Sequence, residues 1–209
     1  MVGFISFGII SSVLAERDWE YWSQESVSLT LSKRINYLVM SEWRFKDDMQ
    51  HNYLFKMETG PSIKVNDYFD VALIYAYQEK KSGNMWDRSD YSYLDFTGKY
   101  IFKELGDIKL SNRFRYQYDY DKGKAILRHS FKLSKGFHLG KYELLPYFSE
   151  EPFYDTKKDR ITEHRSAAGI GISFFRNVSV GLGYMFNSKR GTNKWTYANV
   201  FISNVTIKF

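Results

Sequence analysis

The feature that most constrains this chain is a two-residue alternation of apolar and polar side chains from Ser26 onward. Between Ile108 and Tyr118 every apolar side chain stands at an even position, whereas Arg113 and Arg115 stand at odd positions. Successive residues of a β-strand point to opposite faces of the sheet. The pattern therefore predicts strands with one face suited to hydrocarbon and the other suited to water.

Segments with this alternation recur along the whole chain, and no helical period interrupts them. We expect an all-β fold, a single antiparallel up-and-down transmembrane β-barrel of about twelve strands, with ten as the alternative, because bacterial single-chain barrels have even strand numbers. A count of twelve requires that the stretch from Trp19 to Ser23 forms a separate strand. The segments lie near residues 26–32, 37–45, 51–60, 69–78, 91–102, 108–118, 124–133, 142–148, 165–175, 178–186 and 195–209.

The connecting segments alternate in length. Short ones are expected near residues 33–36, 66–67, 104–107 and 176–177, and longer polar ones at residues 80–90, 150–163 and 187–194. Tight turns on one rim and long loops on the other are typical of outer-membrane barrels.

The first fifteen residues, MVGFISFGIISSVLA, are uncharged and apolar and end in small residues. We predict a signal peptide over residues 1–15, cleaved after Ala15, and a barrel over residues 16–209, located in the outer membrane of a Gram-negative bacterium. A Lys or Arg is missing near Met1, which leaves open a start inside a longer leader. A short buried strand or helix is the alternative.

The composition supports long strands, since 17 Tyr, 17 Phe and 5 Trp accompany only 3 Pro. The absence of Cys excludes disulfides and thiolate metal sites. The net charge of +6 comes from interleaved residues, 30 basic and 24 acidic, so we do not expect a nucleic-acid partner. A soluble all-β barrel or sandwich would alternate in the same way and remains the alternative fold.

The charged face of these strands would line the barrel interior. Such side chains either border a narrow aqueous path or pair across it and close it. Our first expectation is a narrow porin-like channel with a cation-lined lumen for small solutes, with anionic solutes as one class, and our second is a plugged structural barrel. The candidate solute contacts are Arg44, Arg113, Arg115, Arg128, Lys132, Glu42 and Asp95, and Lys56, Glu58, Lys99, Lys109 and Glu143 share their face.

A third possibility is a lipid hydrolase, because His164 and Ser166 share one strand face and a His can activate a Ser nucleophile. The spacing resembles the His-x-Ser of outer-membrane phospholipase A. Residues 167–171 are apolar or Gly where that family has a polar run, and no orienting Asn is evident nearby. We therefore expect no enzymatic activity and no cofactor. Four scattered His also make a metal site improbable: His51, His129, His138 and His164.

The last strand must pair with the first, because an open sheet edge in hydrocarbon leaves backbone groups unsatisfied. The terminal Phe209, with Ile207 and Val205 on its face, resembles the signal that the outer-membrane assembly machinery recognises. The expected partners are therefore that machinery, outer-membrane lipid and lipopolysaccharide.

Five short motifs together resemble a poorly characterised family of Gram-negative outer-membrane β-barrels, a domain of unknown function. The resemblance spans most of residues 19–209 and implies a barrel in the outer membrane, without an activity that could be transferred. The motifs are Trp19, Ser41 to Arg44, Asn112 to Tyr116, Leu145 to Phe148 and Val180 to Tyr184.

Overall fold

The computed structural model describes residues 18–175, 177–192 and 194–209, most of which lie in β-strands. One turn of 3-10 helix spans Lys103–Leu105. The predicted all-β fold is confirmed. The strands are β1 (Asp18–Thr30), β2 (Ile35–Lys46), β3 (His51–Asn66), β4 (Phe69–Ser82), β5 (Met85–Phe102), β6 (Ile108–Asp119), β7 (Lys124–Lys135), β8 (Phe137–Leu139), β9 (Tyr142–Asp155), β10 (Arg160–Phe175), β11 (Val178–Arg190) and β12 (Trp195–Lys208).

The strands form one sheet that closes on itself. Neighbours in sequence pair antiparallel, and the short β8 continues β7, because Ser134 pairs with Tyr147 and Phe137 pairs with Leu144 in the same register along β9. Eleven strands therefore encircle the barrel. Because this number is odd, the first and last strands run in the same direction. The closing pair β1–β12 is accordingly parallel, from Asp18 opposite Ala198 to Ser28 opposite Lys208.

The prediction of twelve strands, with ten as the alternative, is wrong, and so is the purely antiparallel arrangement. Trp19 to Ser23 does not form a strand of its own but is the first half of β1, which pairs with β2 without a break from Tyr21 to Thr30. The sequence between Trp19 and Leu29 has no Gly, Pro, Asn or Asp to support a turn.

The prediction of long loops on one rim is also wrong. Strands β4 and β5 continue through the polar residues 80–90 to a tight turn at residues 83–84, where Gly83 has a φ of 61°. Strands β9 and β10 likewise leave only residues 156–159 between them. Backbone pairing satisfies the N–H and C=O groups of a polar strand as fully as those of an apolar one, so polarity alone does not end a strand.

The barrel has two rims, which we name by the chain terminus nearest to each. The N-terminal rim holds the start of β1 and the connections 47–50, 83–84, 120–123 and 156–159. The C-terminal rim holds Phe209 and the connections 31–34, 67–68, 103–107 and 140–141. The parallel closure places the two termini of the described barrel on opposite rims.

Alternation puts the charged face inside and the apolar face outside. Glu42 is 1% exposed and Arg115 is 5% exposed in the lumen, whereas Leu182 is 58% and Phe201 is 44% exposed on the outer face. Along the closing seam the outward rings of Trp19 and Phe201 stack with centroids 5.0 Å apart. The lumen is therefore the polar part of this fold.

The predicted leader, residues 1–15, lies outside the described residues. No helix in the described part of the chain is long and apolar enough to cross a membrane.

Candidate functional site in the barrel lumen

Charged side chains of seven strands meet in the lumen and form a nearly continuous set of ion pairs, which we call the ion-pair belt. Each contributing strand directs one or two of them inward, because inward positions recur every second residue. The belt consists of Glu42, Arg44, Lys56, Glu58, Asp95, Arg113, Arg115, Arg128, Glu151, Glu163 and Arg165.

On β2 and β3 the belt is a chain of alternating charges. The Glu42 carboxylate lies 2.6 Å from Arg44 Nη2 and 3.4 Å from Lys56 Nζ. Lys56 Nζ also lies 2.7 Å from Glu58. Gln24 of β1 donates a further hydrogen bond to Glu42. Every charge in this part of the belt therefore has an opposite partner, as buried charges require.

On β5 and β6 the belt contains a bidentate ion pair between Arg115 and Asp95. Arg115 Nε and Nη2 each donate to the Asp95 carboxylate at 2.7 Å. The same guanidinium lies 3.6 Å from Glu58 and 4.2 Å from the ring centre of Tyr93. Arg115 thus joins the β2–β3 part of the belt to β6, with a cation–π contact against its planar face.

Glu151 on β9 is shared by three guanidinium groups. Arg128 Nη2 donates to both of its oxygens at 3.0 Å, and Arg113 Nη2 donates at 2.8 Å. Arg165 Nη1 lies 3.9 Å away and pairs more closely with Glu163, at 2.7 Å. One carboxylate thus serves several cations, and this side of the belt carries excess positive charge.

Trp22 of β1 completes the belt across the lumen. The Arg44 guanidinium lies 3.5 Å from its ring centre, and the Arg165 guanidinium lies 4.8 Å from it. Trp22 Nε1 donates to Glu20 at 2.7 Å, and Tyr53 donates to the same carboxylate at 2.7 Å. Cation–π contacts of Trp22 with Arg44 and Arg165 thus join the two ends of the belt, β2 and β10, across β1.

Between the belt and the N-terminal rim the lumen holds several buried side chains, among them Tyr91, Asp119, Asp155 and Asn187. Asp155 accepts a 3.0 Å hydrogen bond from Lys124. A cavity of about 200 Å³ lies beside Glu20, Asn187 and Lys189. The belt therefore adjoins a layer of buried side chains that contains one small cavity.

Between the belt and the C-terminal rim the lumen is open. A cavity of about 460 Å³ lies against the belt, and a second of about 480 Å³ shares Arg113, Glu151 and Arg165 with it. The second adjoins a wide mouth cavity of about 910 Å³ at the rim through Ser111 and Lys132. We call these three cavities together the vestibule.

The structure brings together six of the seven predicted solute contacts in the belt. The seventh, Lys132, projects into the vestibule, with its Nζ 4.1 Å from the ring centre of Tyr147. The expectation of a cation-lined lumen needs correction at the belt, because carboxylates neutralise most of its cations. The belt residues are Glu42, Arg44, Asp95, Arg113, Arg115 and Arg128.

Glu151, the carboxylate shared by three arginines, was not among the residues predicted from the sequence. Glu151 fell within a predicted loop, and Glu163 and Arg165 lay at its far boundary. The period of two continues through that segment, and every second residue of it faces inward. These residues are Tyr147, Ser149, Glu151, Phe153 and Asp155.

His164 and Ser166 point to the outer face of the barrel, and a carboxylate stands between them. Ser166 Oγ donates to Glu150 at 2.8 Å, and His164 Nε2 lies 3.0 Å from the same Glu150 oxygen. No orienting Asn was expected from the sequence, and Glu150 is the carboxylate that contacts both side chains. Ser166 nevertheless bonds to the carboxylate, so the serine–base hydrogen bond of a nucleophilic triad is not formed.

The predicted assembly residues Val205, Ile207 and Phe209 lie at the C-terminal end of the chain, beside β1. Phe209 is 67% exposed, and its backbone N–H donates to Ser28 O at 2.9 Å. Within the described residues, no group of three or more His, Asp or Glu side chains is arranged to hold a metal ion.

The profile of a family described as "Protein of unknown function (DUF2490)" matches residues 19–198. The match includes the whole ion-pair belt and all five motifs that carry the resemblance, and it confirms the resemblance to a family of unknown function. The outer-membrane location that the resemblance implies stays a prediction. No curated protein matches the chain.

Proposed function

Because the chain belongs to the DUF2490 family, whose function is unknown, we propose a function from its own geometry. We propose an integral outer-membrane β-barrel of a Gram-negative bacterium that receives small anionic solutes in the vestibule. The ion-pair belt closes its lumen to free ion flow.

The observation that carries this proposal is the inverted polarity of the barrel. Ten of the buried side chains in the described residues carry a charge in their usual ionised state, whereas 30 large apolar side chains are exposed. In a protein surrounded by water the opposite distribution is favourable, because apolar burial stabilises the fold and charge burial opposes it. Hydrocarbon around the barrel would turn the exposed apolar face into a stabilising one.

Polar side chains on the outer face are also consistent with surrounding hydrocarbon, since they form hydrogen bonds with one another. Glu25 accepts hydrogen bonds from Ser23 and from Ser41, the latter at 2.9 Å. His129 and Asn112 are joined at 2.6 Å. Mutual hydrogen bonding lowers the cost of placing such groups against lipid.

The solute-receiving role rests on the charge of the vestibule. Its mouth is lined by five lysines and only two carboxylates, and the cavity walls lead from there to Arg113. A concave surface of one sign raises the local concentration of solutes of the opposite sign. We propose no catalytic role for the chain.

A narrow channel is the second candidate, and one observation favours it. The three cavities adjoin one another from the C-terminal rim to the belt, so displacement of the belt side chains would lengthen an existing path.

Fractionation tests the membrane location. The protein should be recovered with the outer membrane and should migrate faster on gels before boiling than after it, because a closed barrel resists detergent. A maltose-binding periplasmic protein serves as the soluble control. Recovery in the periplasm, with mobility that heating leaves unchanged, would overturn the membrane assignment.

A further inference from the structure

The second cavity of the vestibule, which we call the two-walled cavity, has a volume of about 480 Å³. This size lies within the range of small-molecule sites. Strands β6, β7 and β9 form one wall with cations and hydroxyls, namely Ser111, Arg113, Ser130, Lys132 and Ser149. Strands β1, β10, β11 and β12 form the other with Trp22, Ala167, Met185 and Ile202.

The polar wall has unneutralised positive charge. Arg113 has one carboxylate partner, Glu151, which Arg128 already holds through both oxygens. Lys132 forms no ion pair with any residue that the structure describes, and its ammonium group lies over the ring of Tyr147. Ser111 stands opposite Lys132 across the β6–β7 ladder, and Ser130 stands opposite Arg113. Two cations and two hydroxyls thus converge on one side of the cavity.

The apolar wall is continuous with a packed cluster. Trp22, Ala167 and Met185 are buried together, and Ile202 packs against them. Their surface toward the cavity contains no charged side chain except Arg165 at its border. A ligand body that covers this wall would remove apolar surface from water, at about 25 cal/mol per Å².

Two glycines keep the space between the walls. Tyr147 lies across β10 and β11, where a Cβ on Gly169 would stand 2.7 Å from its hydroxyl oxygen and a Cβ on Gly183 would stand 2.6 Å from it. A Cβ on Gly169 would also stand 2.5 Å from the backbone oxygen of Leu182. Larger residues at these positions would therefore clash with the Tyr147 hydroxyl and with the neighbouring backbone, so the glycines make room for the ring beneath Lys132.

We propose that the two-walled cavity binds a small amphiphilic anion. Its carboxylate would be held by Arg113 and Lys132 with the hydroxyls of Ser111 and Ser130, since a guanidinium and an ammonium bind carboxylates through charge-assisted hydrogen bonds. Its aliphatic or aromatic body lies against Trp22 and Met185. This inference rests on the proposed solute-receiving vestibule and names the class of solute.

The ligand enters through the mouth cavity. Ser111 and Lys132 line both cavities, so the head-group site is reached directly from the C-terminal rim. The mouth also carries Lys99, Lys103, Lys109 and Lys208. Their charge steers an anion inward before it meets the site.

The test is a calorimetric titration of the folded, detergent-solubilised protein with 4-phenylbutyrate, with protein-free micelles as the blank. Neutral 4-phenylbutanamide has the same body without the charge, and acetate has the charge without the body. We expect saturable binding of 4-phenylbutyrate, with both comparison compounds weaker by about tenfold or more. Equal binding of the acid and the amide, or no saturable binding of the acid, would overturn the proposal.

Substitutions locate the site. Lys132→Met should lower the affinity for 4-phenylbutyrate about tenfold and leave the affinity for the amide unchanged. The substitution removes the charge and keeps an apolar side chain. Lys141→Met, an exposed residue on the same rim that does not line the cavity, should bind as the wild type does. Wild-type affinity in Lys132→Met would contradict the assignment.

The comparison of acid and amide uses the wild-type protein, so it stands even where a variant does not fold. Heat-modified gel mobility shows which preparations contain the closed barrel. The titration does not depend on where the protein resides in the cell, so its failure and a failure of the membrane assignment are distinguishable.

Discussion

Arg115 and Asp95 stand directly opposite each other on β6 and β5, and the guanidinium donates two 2.7 Å hydrogen bonds to the carboxylate. Both side chains are buried in the lumen. The pair fixes the orientation of the guanidinium that also reaches Glu58, and it therefore links the β2–β3 part of the ion-pair belt to β5 and β6.

The Asp95→Asn variant should destabilise the barrel by about 3 to 5 kcal/mol, because it leaves the buried Arg115 with Glu58 at 3.6 Å as its carboxylate partner. The measurement is the loss of the heat-modifiable form in a urea titration. The double variant Asp95→Leu, Arg115→Leu should lose less stability than Asp95→Asn does, since it leaves no buried charge without its partner. Asp67→Asn, which removes an exposed ion pair with Lys64, is the control and should leave the midpoint unchanged. Equal midpoints for Asp95→Asn and Asp67→Asn would contradict the structural role of the belt.

Conductance in a planar bilayer separates the closed barrel from the channel. The wild type should pass little current. Replacing Arg113 and Arg115 together with Ser removes two guanidinium groups and leaves Asp95 and Glu151 with fewer partners, so current should rise and favour cations. Arg88→Ser, a change on the exposed N-terminal rim, should behave as the wild type does. Large anion-selective current through the wild type would instead support the cation-lined channel.

Phospholipid hydrolysis tests the outward-facing histidine and serine. Purified barrel should release no fatty acid from mixed micelles, and Ser166→Ala should change nothing measurable, because Ser166 donates to Glu150 and not to His164. Fatty-acid release by the wild type that disappears in Ser166→Ala would establish a lipid hydrolase in place of the binding role.

Two changes at Phe209 separate the contribution of its side chain to barrel assembly from the contribution of its backbone hydrogen bonds. Its carbonyl accepts from Thr30 N at 2.8 Å, and its N–H donates to Ser28 O at 2.9 Å. Phe209→Ser keeps these bonds and should lower the amount of barrel assembled in the outer membrane. Deleting Phe209 should lower it further, because both bonds are lost.

Tyr197→Ser makes a similar change on the outer face of β12, away from its end, and this variant should assemble nearly normally. Immunoblots of heat-modifiable protein in outer-membrane fractions measure the effect. If Phe209→Ser and Tyr197→Ser assemble equally well, the terminal aromatic is not an assembly signal.

The sequence by itself determined how many strands form and which faces they present, but not where the polar ends of β4, β5, β9 and β10 lie. Period two is a property of neighbouring residues, so the inward position of Arg115 and the outward position of Phe114 follow from a few residues of β6. The eleven segments visible in the sequence are the eleven strands of the barrel. The error arose when an assumed even number was imposed on them.

Only the tertiary structure decided how the strands close and which charges meet. The odd strand number sets the parallel direction of β1 and β12, but that these two strands pair, and in which register, is a long-range contact that no local pattern contains. The contacts of Arg165 with Trp22 and of Glu151 with three arginines depend on register and on barrel curvature. Inward charges are therefore readable from the sequence, whereas their neutralisation in a belt requires distances between strands far apart in the chain.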